Sequence, residues 1–287
     1  MGPGKLTRRR LLAGAITAAA AVAAGDTLFV EPRDLQARRV DVFLKRLPEA
    51  FEGFRIAQLS DLHCGPYVGR AGVARAVSLA LSFAPDLLAL TGDYVSHPLT
   101  LRNGPAGARH VEFCAEVLGQ QKQLAMIAVL GNHDHWNDAG IVAEGLKDAG
   151  VTVLRNASTS LERGGSRIWI AGIDDAFVGQ ADLRSTLRGV PSSEATVLLA
   201  HEPDYADHSS RFPVDLQLSG HSHGGQVRLP GIGAPILPPM ARRYPMGLYR
   251  VGMLQVYTNV GLGVVNPPVR FCCPPEVTFL TLRRDRG

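Results

Sequence analysis

Short apolar runs recur along the chain, and most end in a few polar residues before a longer stretch at helical spacing. Residues 54–60, 86–91, 126–130, 196–200 and 214–218 each read as a strand of five to seven residues. Residues 72–83 place Ala, Val and Leu at helical intervals until Pro85 stops them. Residues 109–119, 138–149 and 181–188 predict three further helices, and 151–154 and 167–173 two further short strands. Val40 and Val42 alternate with charge, as a leading edge strand does. After Gln226 the chain is rich in Gly and Pro; its alternating runs at 248–260 and 277–282 predict hairpins and antiparallel strands. The repeated strand–loop–helix order predicts an α/β domain, and such sheets gather ligands at the carboxyl ends of their strands.

Those ends carry the chemistry. The five main strands run into Asp61-Leu62-His63, Gly92-Asp93, Gly131-Asn132-His133-Asp134, His201 and Gly220-His221-Ser222-His223-Gly224-Gly225. Alone, the His221-x-His223 pair fits a polar turn as well as a metal site. Where strand geometry persists, both imidazoles share one face, and the flanking glycines let the backbone approach an ion or phosphate. Taken together, the ends supply imidazole, carboxylate and amide with no thiolate, which suits Mn, Fe or Zn in a catalytic rather than a structural site. Seven or more donors exceed the need of one ion, so two are expected, spaced to clamp a phosphoryl group between them.

The five blocks, in this order and each after a strand, resemble the calcineurin-like metallophosphoesterases. Cys273-Pro274-Pro275-Glu276-Val277 is similar to one exported bacterial branch. The resemblance implies a four-layer α/β/β/α sandwich of two mixed β-sheets flanked by helices. It implies Asp61, His63 and His223 at one metal, Asn132, His201 and His221 at the other, and Asp93 bridging. It places His133 beside the phosphate, where it stabilises charge or protonates the leaving oxygen, with a bridging hydroxide as nucleophile. Asp134 is expected to orient His133. Many relatives carry an acid three residues beyond the bridging aspartate; here that position is Ser96, with His97 or Asp134 as substitutes. The substrate implied is a phosphodiester or pyrophosphate bond in a lipid or cell-envelope molecule. The alternatives are a phosphomonoester or nucleotide, or a non-catalytic scaffold of the same fold.

The first 24 residues change the picture of charge. Thr7-Arg8-Arg9-Arg10-Leu11-Leu12 followed by an Ala-rich run resembles a twin-arginine signal, with Ala21-Val22-Ala23 suited to cleavage. The reading expects export across the bacterial inner membrane by the Tat machinery, to periplasm, cell wall or outer membrane face, as a cleaved signal or an anchor. Peripheral contact with membrane or envelope is a further expectation. The segment holds Lys5, Arg8, Arg9 and Arg10 and no acid, so the formal charge of +4 falls to zero without it. The basic balance therefore gives no support to a nucleic-acid partner. Residues 25–287 are read as one catalytic domain.

Other residues have plainer expectations. Cys64 and Cys114 are not part of any Cys-x-x-Cys motif, and adjacent Cys272-Cys273 read as small buried side chains. His135 and Trp136 are equally consistent with a pocket lining and with packing. Arg242-Arg243-Tyr244 reads as a solvated pair before a phosphate contact. His110 and His208 are taken as surface or helix residues.

Overall fold

The computed structural model describes residues 8–96 and 107–285. Two six-stranded mixed sheets stack face to face. The first has the order β1 (Gln36–Leu44), β12 (Glu276–Arg284), β2 (Arg55–Leu59), β3 (Leu87–Thr91), β4 (Ala125–Val129), β5 (Thr152–Val153). The second has β10 (Gly247–Val251), β11 (Leu254–Thr258), β9 (Leu216–Ser219), β8 (Thr196–Leu199), β7 (Ser166–Gly172), β6 (Ala157–Arg163). Helices α2 (Arg70–Leu81), α3 (Val111–Leu118) and α5 (Ala139–Asp148) cover the first sheet. Short helices α6 (Leu183–Thr186) and α7 (Ala206–Ser209) cover the second. This is the expected α/β/β/α arrangement.

The unbroken apolar runs follow from burial on both faces. Along β3, Leu87 and Ala89 point into the space between the sheets, while Leu88 and Leu90 face the helices. The inner layer meets Ile168, Ile170, Val197, Leu199, Leu216 and Leu218 from the second sheet. Helix α2 buries Val73, Ala76, Val77 and Ala80, the i, i+3, i+4, i+7 stripe that its sequence spells. Asp138 caps α5 by accepting from the amides of Gly140 and Ile141. Truncating any one of these central leucines to alanine would cost about 2–5 kcal/mol.

The structure departs from the sequence expectations in four places. Strand β6 was not foreseen, because Ala157-Ser158-Thr159-Ser160 has no apolar alternation; the Gly164-Gly165 turn, with both φ positive, joins it to β7 as a two-residue hairpin. Helix α4 (Asn132–Asn137) occupies what reads as a polar loop. The region after Gln226 makes one hairpin, β10–β11, but β11 also runs parallel to β9. Strand β12 leaves for the other sheet, parallel to β1 and antiparallel to β2.

Helix α1 (Arg8–Gly25) holds the Ala-rich run, and among the described residues no helix is long and apolar enough to cross a membrane. Beyond it the chain is bound into the fold. Arg270 N donates to Thr27 O at 3.0 Å, and the Glu31 carboxylate accepts from the amides of Cys272 and Cys273.

Candidate metal centre

Parallel pairing of β2 with β3 and of β3 with β4 delivers Asp61, His63, Asp93 and Asn132 to one edge of the first sheet. Parallel β8 and β9 deliver His201, His221 and His223 to the same edge of the second. The loops are stitched together by main-chain bonds, among them Asp61 N to Gly92 O at 2.9 Å and His63 N to Asp93 O at 3.0 Å. Asp61, His63, Asp93, His221 and His223 all have φ between 46° and 64°. This left-handed conformation costs an L-residue about 1–2 kcal/mol and is tolerated best by short polar side chains and His. The strand geometry expected for His221 and His223 therefore does not persist: β9 ends at Ser219, and the two imidazoles are aimed by positive φ.

The result is two donor groups that meet at one aspartate. His223 Nε2 lies 3.3 Å from Asp61 Oδ1 and 3.0 Å from His63 Nε2. Asp93 Oδ2 lies 3.6 Å from His63 Nε2 and 3.2 Å from His201 Nε2. Within 4.8 Å of one another, the donor atoms form the sets Asp61/His63/His223, Asp93/His201/His221 and His63/Asp93/His133. All seven expected ligands are buried at this edge.

The chemistry of these atoms fits cations. His201 Nδ1 faces Thr91 O at 2.6 Å, which makes Nδ1 a protonated nitrogen and leaves Nε2 as the nitrogen that faces Asp93. His221 Nε2 is likewise committed to Pro239 O at 2.9 Å, so Nδ1 carries its lone pair. Asn132 Oδ1 is buried without a hydrogen-bond partner, as is His201 Nε2. Buried polar atoms left without a partner are costly alone, and these two are of the types that ligate a cation.

Protonation follows burial and neighbours. Burial, with His133 second, pushes His63 down to about 3. Burial and His201 push His221 down to about 3, and burial and His63 hold His223 well below its usual range. These three rings are neutral, as ligands must be. Burial raises the Asp61 carboxyl to about 7 against the pull of His201. Burial also works to raise Asp93, but His201 and His133 overcome it and hold Asp93 well below the usual range. Burial alone would lower His201, yet Asp93 raises it well above its ordinary value.

His133 and Asp134 separate. The His133 ring packs edge-on against His63, centroids 4.6 Å apart, and its amide donates to Asp93 Oδ1 at 2.8 Å. Asp134 turns inward, where both oxygens accept main-chain amides: Gly131 and Asp93 on Oδ2 at 2.9 Å, and Tyr94 on Oδ1 at 2.8 Å. The expectation that Asp134 orients His133 is corrected by this geometry, since the carboxylate is spent on the loop that carries Asp93. Ser96, at the usual acid position, donates its hydroxyl to His63 O at 2.8 Å. His97 lies outside the described residues.

Several other readings resolve. Cys64 is a packed thiol pushed up to about 12 by burial, Cys114 is buried too, and Cys273 is buried as expected. Cys272 is exposed, against expectation, because positive φ flips it outward while its amide meets Glu31. His135 faces Asp174 at 2.7 Å, whereas Trp136 is exposed at the rim of a cleft. The amides of Arg242 and Arg243 donate to the Asp204 carboxylate and the Arg243 guanidinium pairs with Asp207, while both side chains are exposed, as expected of a solvated pair. His208 packs between Tyr205 and Phe212, and half-buried His110 precedes α3 and stacks on Phe113.

Sequence reasoning missed Arg270. It is fully buried, and its guanidinium donates to the carbonyls of Cys273, Val260, Gly261 and Gly263. That clamps the glycine loop against the first donor set: a Cβ on Gly261 would lie 2.6 Å from Asp61 Cβ, and one on Gly263 2.7 Å from His63 Cβ. The available signal was Gly261-x-Gly263 followed by an arginine in an apolar stretch.

A family model for calcineurin-like phosphoesterase matches residues 54–225, which include every strand-end ligand. The chain is 34% identical over 287 residues to the uncharacterized metallophosphoesterase YkuE of Bacillus subtilis, covering 97% of this chain and 98% of that one. It is 34% identical over 236 residues to the phosphodiesterase YaeI of Escherichia coli, covering 80% and 82% respectively. A transmembrane protein with metallophosphoesterase domain from Danio rerio is 32% identical over 260 residues, covering 85% of this chain and 56% of its own. Kinship across most of the chain and a buried His/Asp donor set agree: this is a metal-dependent phosphoester hydrolase that belongs to the calcineurin-like phosphoesterase family.

Proposed function

We propose that the chain hydrolyses a phosphodiester or pyrophosphate bond of a lipid or cell-envelope molecule at a two-ion centre. The observation that carries this reading is Asp93 Oδ2, which lies between His63 Nε2 and His201 Nε2 and belongs to donor sets on both sides. Asp61, His63 and His223 would hold one ion and Asn132, His201 and His221 the other, with Asp93 common to both. When bound, Mn, Fe or Zn ions supply Lewis acidity toward the phosphoryl oxygens and a water activated for attack. The chain's own residues do the rest. His133, fixed through its amide to Asp93 and through its ring to His63, stands at the mouth of the site, where an imidazole can protonate the leaving oxygen. Asp134 positions that machinery by holding the amides of Gly131, Asp93 and Tyr94.

Loaded with Mn²⁺, the protein should cleave bis-p-nitrophenyl phosphate faster than p-nitrophenyl phosphate. Asp93→Asn should lower that rate by more than about a hundredfold, because losing outer-shell partners alone costs about 10–100-fold. An Asp93→Asn variant with full activity, or a chain that cleaves neither ester, would remove the reading. A strong preference for the monoester would favour a phosphomonoesterase or nucleotidase.

The export proposal is supported by Arg8-Arg9 at the start of helix α1, ahead of its Ala-rich run. Replacing both with lysine should retain the protein in the cytoplasm of an expressing bacterium. Undiminished export of that variant would rule out the twin-arginine route.

A further inference from the structure

The two halves of the metal edge share a cleft of about 610 Å³, within the range of ligand pockets. At its inner end stand Asp93, Asn132, His133, His221 and His223. Away from that end it changes character. Its walls are Trp136, Phe177, Ile236, Leu237, Val265 and Val269, with four prolines among the remaining lining residues. Proline removes the main-chain donor, so Pro235, Pro238, Pro239 and Pro267 leave stretches of wall that offer no N–H to a polar ligand. Among the described lining residues none is Lys or Arg.

The wall is built onto the metal loop. His221 Nε2 donates to Pro239 O at 2.9 Å, and a Cβ on Gly225 would lie 2.4 Å from Ala234 Cβ and 2.8 Å from Ile236 O. Residues 234–239 therefore run along the loop that carries two ligands, and the apolar surface is continuous with the donor set. At the open end Ile236 is 78% exposed and neighbouring Ile232 is 77% exposed, an unusual placement for two large aliphatic side chains.

From this we infer that the cleft binds an aliphatic arm of the substrate: the phosphoester carries a hydrocarbon chain that lies between the proline wall and Trp136/Phe177 and leaves past Ile236. The inference rests on the phosphoesterase reading above and narrows it to an amphiphile. A nucleotide fits less well. Trp136 and Phe177 meet each other edge-to-face with centroids 6.0 Å apart, which leaves no parallel slot for a base. Among the described residues the wall also has no Lys or Arg for a further phosphate.

Binding tests this without turnover. Alkylphosphonic acids from methyl to decyl are titrated calorimetrically into the Mn²⁺-loaded full chain, with AMP as comparison. Affinity should rise by about fourfold for each methylene that enters the cleft, then level off when it is full. Ile236→Asp should lower the ratio of octyl to methyl affinity at least tenfold. A chain-length series that is flat from methyl to decyl overturns the inference, and so does AMP binding more tightly than hexylphosphonate. Failure to bind any phosphonate overturns it too. The reading beneath it stands or falls separately, on hydrolysis of bis-p-nitrophenyl phosphate and its loss in Asp93→Asn.

Discussion

His221 and His223 are two residues apart, yet their rings serve different neighbours. The His221 ring lies 5.1 Å from that of His201, and the His223 ring 4.8 Å from that of His63. Left-handed backbone at both positions produces the divergence, at a local cost in strain. Replacing either histidine by alanine should therefore cut the metal content to about one ion per chain, with activity lost in both cases. Anomalous scattering should find the retained ion beside His63 in His221→Ala and beside His201 in His223→Ala. Loss of the same ion from both variants would show that the loop does not divide the site. Arg270 supports one half of this division. Its guanidinium meets four carbonyls in a fixed fork, a geometry that the single ammonium of lysine does not reproduce.

At the scale of elements, the glycines at the strand ends set how closely two loops can pass. A Cβ on Gly131 would fall 2.3 Å from Asp93 Oδ1, and one on Gly220 2.2 Å from Asp61 Oδ2. Neither position has positive φ, so space and not backbone conformation demands glycine there. Gly131→Ala should displace Asp93 and cost about 1–3 kcal/mol by overpacking. For a chain of this size that lowers Tm by several degrees, about 2–4 °C per kcal/mol, and metal content should fall with it. Unchanged Tm and unchanged metal content in this variant would mean that the loop relaxes freely. Much of this was legible in the sequence. Strands buried on both faces announce themselves as unbroken apolar runs, and ligands at their ends follow from parallel topology. What was not legible depends on partners distant in the chain. Strand β6 exists because β7 lies beside it, and Ala157–Arg163 carries no pattern of its own. The inward turn of Asp134 depends on amides at Asp93 and Tyr94, some forty residues earlier. The cleft wall at 234–239 is set by Gly225 and His221 and has no periodicity to read.

For the whole molecule, the question is where the N-terminal segment stops being separable from the enzyme. Helix α1 ends at Gly25, and the described side chains between Arg8 and Ala24 are exposed. From Thr27 the chain is tied to residues 270–273: Arg270 N reaches Thr27 O, and Glu31 accepts the amides of Cys272 and Cys273. The same short loop backs the metal centre, because Cys273 Sγ lies 3.4 Å from His223 O and Arg270 clamps the Gly261–Gly263 turn. The stem is thus a strut between the amino terminus and the first donor set, and a cut after Ala23 leaves it whole. Removing residues 1–23 should leave Tm and metal content unchanged. Glu31→Ala should act differently, since it strands two amides, one of them on buried Cys273, and charge-assisted bonds of this kind contribute about 1.5–3 kcal/mol each when well shielded. Allowing for partial exposure, a net loss of about 2 kcal/mol lowers Tm by about 4–8 °C. Under the proposed two-ion reading, metal content at the Asp61/His63/His223 donor set should fall more than at the Asp93/His201/His221 set. A Glu31→Ala protein as stable and as fully loaded as the 24–287 chain would show that the stem only lies against the fold and does not brace it.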